Sequence, residues 1–63
     1  MQFKATTQGY TFVQEEGETI KAYDTVGDIS LLNPIYVSHE KVTSQKDFEV
    51  EISYILMDHL VVS

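Results

Sequence analysis

Between Phe48 and Tyr54 the chain alternates apolar and polar residues without a fault, Phe48-Glu49-Val50-Glu51-Ile52-Ser53-Tyr54. Successive side chains of a strand point to opposite faces, so this pattern predicts an antiparallel strand with one buried and one wet face. Its expected partner is Ile35 to Val42, reached through the polar loop Thr43-Ser44-Gln45-Lys46-Asp47. A five-residue loop pairs Val42 with Phe48, Lys41 with Glu49, Glu40 with Val50, His39 with Glu51 and Tyr36 with Tyr54. A four-residue loop would set Glu40 against Glu51. Like charges directly opposite one another are destabilising, so the longer loop is the expected one.

The same period of two runs through the N-terminal part. A first strand is expected at Gln2 to Thr6, with Phe3 and Ala5 on one face, followed by a turn at Thr7-Gln8-Gly9. Tyr10 to Gln14 and Thr19 to Tyr23 then flank Glu15-Glu16-Gly17-Glu18, where Gly17 supplies the positive φ of a tight hairpin turn. A two-residue turn there sets Val13 opposite Ile20 and Tyr10 opposite Tyr23. From Asp24 to Asn33 the alternation fails, and Asp28 is placed to cap a single helical turn through Ile29-Ser30-Leu31-Leu32. Pro34 biases Asn33 towards extended backbone and marks the start of the next strand. The fold these features predict is mainly β: a small antiparallel sheet or open barrel of five to six strands with at most one short helical turn, residues 1–63 forming a single domain.

After Ser53 both faces turn apolar, through Tyr54-Ile55-Leu56-Met57 and, past Asp58-His59, Leu60-Val61-Val62. A strand buried on both sides needs cover on each, which a chain of 63 residues finds by curling into a barrel or docking on another copy. Below about 70 to 80 residues a core rarely supplies more than about 3 to 5 kcal/mol, and with no cysteine a disulfide cannot help. Ile55, Leu56, Met57, Leu60, Val61 and Val62 are therefore the expected self-association residues of a homodimer or higher oligomer.

Charge narrows the range of partners. Six Glu and four Asp face four Lys and no Arg, a formal net charge of -6. Arginine is the side chain of bidentate phosphate contacts and nucleic-acid binders carry a basic stripe, so direct nucleic-acid binding is not expected, nor is an anionic membrane surface. Stacking of single-stranded bases on the tyrosines would need a positively charged groove, and this chain has the opposite sign. No stretch approaches the roughly 18 apolar residues of a membrane span and no signal peptide is evident, so a cytoplasmic location is expected. On an extended strand Glu49 and Glu51 share one face roughly 6.7 Å apart. Asp47 and the hairpin-tip residues Glu15, Glu16 and Glu18 extend that row into an acidic surface suited to a basic cleft.

Catalytic and metal chemistry find little support. His39-Glu40 and Asp58-His59 are the histidine–carboxylate neighbours. Adjacent strand residues point to opposite faces, so His39 and Glu40 cannot ligate one ion without a bulge, His59 reads as a turn residue near the C-terminus, and neither pair matches a zinc-hydrolase or calcium-loop spacing. The serines lie in no nucleophile elbow, and Gly9, Gly17 and Gly27 stand too far apart to cradle a phosphate. Asp24-Thr25-Val26-Gly27-Asp28 has too few ligands for a cation loop. No cofactor or metal is expected, and no enzymatic activity.

Small, acidic, arginine-free chains of this composition look like phage or mobile-element proteins that block host enzymes or host immunity. That compositional resemblance implies a non-enzymatic inhibitor of a larger protein, one that handles nucleic acid or serves host defence. The alternative expectation is an assembly module built on its sheet edge and C-terminal apolar segment, with acidity serving solubility.

Overall fold

The computed structural model describes residues 2–60. Strands β1 (Phe3–Thr7), β2 (Tyr10–Gln14), β3 (Lys21–Tyr23) and β4 (Tyr36–Val37) form an open antiparallel meander in the order β1-β2-β3-β4. Helix α1 (Gln45–Ile55) follows, and Leu56–Leu60 continues it as a π-helix. The architecture is mainly β, a small α+β sandwich of one sheet and one helix, and the sheet does not close into a barrel.

The β1–β2 hairpin forms where the alternation places it. Thr7 pairs with Tyr10, leaving Gln8 and Gly9 as a two-residue loop with φ of 55° and 84°. Positive φ at both positions is the type I′ turn, whose twist matches that of the flanking strands. The register sets Ala5 against Phe12 and Phe12 against Ala22, which directs these residues and Phe3 to one face. There they meet Ile20 and the helix residues Phe48, Ile52, Ile55 and Leu56 in a single core. The Phe3 and Phe48 rings stack with centroids 5.5 Å apart, tying β1 to the first turn of the helix.

The second hairpin forms with a register shifted by one residue from the expected one. Val13 faces Lys21 and Thr11 faces Tyr23, in place of Val13 with Ile20 and Tyr10 with Tyr23. Such a slip exchanges faces, and here it lets Phe12 and Ile20, both fully buried, enter the core while Val13 turns to the other side of the sheet. The turn itself is closed by the Glu18 N–H donating to the Glu15 carbonyl, with Gly17 at φ 77°. On the outer face the Thr11 hydroxyl donates to the Thr25 carbonyl at 2.6 Å and holds the β3–β4 connection against the sheet. In that connection Asp28 accepts from the Ser30 N–H, and the Leu32 N–H reaches the Ile29 carbonyl, a single turn capped by Asp28.

The expected strand from Ile35 to Val42 contracts to Tyr36–Val37, and its partner is β3 rather than residues 48–54. Past β4 the Ser38 N–H donates to the Ile20 carbonyl and the Ile20 N–H donates to the Glu40 carbonyl, while the Ser38 hydroxyl accepts from the Glu40 N–H. Beyond it, Gln14 substitutes for a neighbouring strand. Its buried amide donates to the Val42 carbonyl at 2.9 Å and accepts from the Val42 N–H at 3.0 Å, fixing the chain just ahead of the helix.

The segment Phe48–Tyr54 is a helix, which overturns the expected strand and every pairing drawn through it. The Ser44 hydroxyl caps the helix by accepting from the Asp47 N–H at 3.1 Å, and Asp47 places a negative charge in the first turn. Phe48, Ile52 and Ile55, spaced i, i+4 and i+7, bury one stripe against the sheet. Residues two apart on a helix lie about 200° apart, so the alternating apolar set divides between opposite sides. Phe48 and Ile52 point inward, whereas Val50 and Tyr54 are exposed.

Candidate protein-interaction surface

The expected acidic row divides in the same way. Glu49 and Glu51 lie about 200° apart around α1 instead of sharing a strand face. Glu49 accepts from the Gln45 side chain at 3.1 Å, an i, i+4 contact along one flank. Asp47 and Glu51 fall together on the other flank at i, i+4, and Asp58 in the π-helical segment follows. Among the described residues, Asp47, Glu51 and Asp58 form no ion pair.

Glu15, Glu16 and Glu18 project from the β2–β3 turn, all exposed. Lys21 donates to Glu18, and this hydrogen bond holds the lysine above its usual pKa. Beneath the turn lies an open cleft of about 370 Å³, floored by Phe3 and Val42 and edged by Glu16, Glu18 and Lys41. The carboxylates thus form two groups, one at the turn and one along the helix.

The expected self-association residues have mixed placements. Ile55 and Leu56 are buried in the chain's own core and Leu60 is half-buried against it. Met57 is 73% exposed, while Val61 and Val62 lie outside the described residues. The apolar run finds much of its cover within the chain, because a helix lying on the sheet gives it a buried side that an isolated strand would lack. Other exposed apolar side chains are Val26, Leu31 and Leu32 on the β3–β4 connection, and two further groups stand on regular elements. Val50, Tyr54 and Met57 line the outward side of α1 and its extension at i, i+4 and i+7. Ile35 and Val37, each about half-exposed, stand on the outer face of the edge strand β4 and its approach.

His39 is exposed, and His59 stacks on Tyr36 with ring centroids 4.5 Å apart. Among the described residues no group of three or more potential ligands gathers into a metal site, and no helix is long and apolar enough to cross a membrane. Tyr10, Tyr23 and Tyr36 are half-buried, and Tyr54 is the most exposed of the four tyrosines at 56%. Sequence reading missed the outward helix stripe and the Gln14 clamp. The i, i+4, i+7 spacing of Val50, Tyr54 and Met57 could have revealed the first. Comparison with protein-family models, curated proteins and solved structures returns no match.

Proposed function

We propose that this chain is a non-enzymatic binding protein that engages a larger, basic protein and inhibits it by occupying a cleft meant for an anionic ligand. A nucleic-acid-handling or host-defence protein has such a cleft, and a small phage or mobile-element protein acting in the host cytoplasm is the setting the composition suggests. The observation that carries this reading is the surplus of exposed carboxylates at the β2–β3 turn and along α1, facing only four lysines in the whole chain. Charge of one sign steers encounter with a basic partner and disfavours wrong ones.

The test is affinity capture of partners from a host lysate at low and high salt, followed by binding to the purified partner. Capture should fall with salt. Charge reversal at Glu15 and Glu18, or at Asp47 and Glu51, should weaken binding by about tenfold or more. Binding that ignores both salt and charge reversal contradicts the proposal.

A second reading, self-assembly through the sheet edge, is favoured by one feature. The stretch Ile29 to Ser38, which contains β4, carries no charge, so two copies can approach there without repulsion. Sedimentation should then show a discrete oligomer that Val37→Lys returns to a monomer.

A further inference from the structure

On the outward side of α1, apolar surface and unpaired negative charge coincide. Val50, Tyr54 and Met57 are 44%, 56% and 73% exposed and lie along one line of the helix, opposite Phe48, Ile52 and Ile55. Spacing of i, i+4 and i+7 is the anchor pattern of a helix that enters an apolar groove. Tyr54 sits at the centre, with Glu51 one turn before it at i−3 and Asp58 one turn after it at i+4, and Asp47 bears the same relation to Val50 as Glu51 to Tyr54. Lys46, at i−4 from Val50, is the cation near this row.

An aromatic face between carboxylates suits a guanidinium. The ring stacks with its plane while the carboxylates accept its paired N–H groups. A second copy of this chain has no arginine to offer and would bring its own -6 charge to the contact.

We infer that the outward face of α1 docks on an apolar helical face of a partner protein, with Val50, Tyr54 and Met57 as anchors and arginines flanking that face paired with Glu51 and Asp58. This rests on the proposed function and names the surface that performs it. Val50, Tyr54 and Met57 lie outside the core cluster, so exchanging them should leave the protein folded, with circular dichroism as the control.

The test uses three synthetic helical peptides. One is amphipathic with a leucine face flanked by arginine, the second carries glutamate in place of arginine, and the third keeps arginine but has serine in place of leucine. The leucine–arginine peptide should bind about tenfold or more tightly than either of the others. V50Q/Y54Q/M57Q should remove that advantage, and Asp24→Asn, an equally exposed carboxylate on the β3–β4 connection, should leave it within about twofold. Undiminished binding by V50Q/Y54Q/M57Q overturns the site while leaving an acidic binding protein in place. Equal binding of the arginine and glutamate peptides overturns the acidic reading as well. Equal binding of the serine peptide, or no binding by any of the three, overturns the apolar docking face. A wild-type dimer that V50Q/Y54Q/M57Q dissociates would make a second copy the occupant and contradict the inference.

Discussion

The β1–β2 hairpin and helix α1 carry similar alternations of apolar and polar residues, and they place them differently. In the hairpin, Phe3, Ala5 and Phe12 reach the core from one face of the sheet, and polar Lys4 and Thr6 remain exposed. In the helix the alternating set divides, so that Phe48 and Ile52 enter the core while Val50 and Tyr54 stay outside. Pattern alone does not choose between these outcomes. What decides is the chemistry at the element's start: a positive-φ turn at Gln8-Gly9 in one case, a Ser44 cap in the other.

Substitutions that break this contrast have graded effects. Phe48→Ala removes a fully buried ring stacked on Phe3 and should cost about 3 to 5 kcal/mol, as much as a chain of this size has to lose. A thermal melt should show no cooperative transition. Gln14→Ala leaves the N–H and carbonyl of Val42 without their side-chain partner and should cost about 1 to 3 kcal/mol, read by urea unfolding. Gly9→Ala forces a Cβ into left-handed backbone and should cost about 1 to 2 kcal/mol, with the loss confined to the hairpin in hydrogen exchange. Ser44→Ala should cost about 1 kcal/mol and lower the midpoint by about 4 to 8 °C, with protection lost first in the opening turn of α1.

How much could be read in advance follows from the same contrast. Hairpin β1–β2 was legible because Gly9 marks the turn and Phe3 and Ala5 mark the face. Helix α1 was not, because exposed Val50 and Tyr54 completed an apparent period of two that concealed Phe48, Ile52 and Ile55 at helical spacing. The signal that could have corrected this is Ser44 three residues before Asp47, a capping pair ahead of an apolar run. The Gln14 clamp leaves no trace in sequence, since its partner is the main chain 28 residues away. Exposure of the acidic residues was readable from composition. Their grouping was not, because whether Glu49 and Glu51 share a face depends on the element that carries them.

The central claim is that α1 has one side bound to the fold and one side surplus to it. Thermal unfolding of Ile52→Gln beside V50Q/Y54Q/M57Q tests this directly. The account predicts that the single inward change abolishes or sharply lowers the transition, because a polar amide replaces a core side chain. The triple outward change should leave the midpoint within about 4 °C of the parent, under about 1 kcal/mol. A triple variant that melts as early as Ile52→Gln would contradict it.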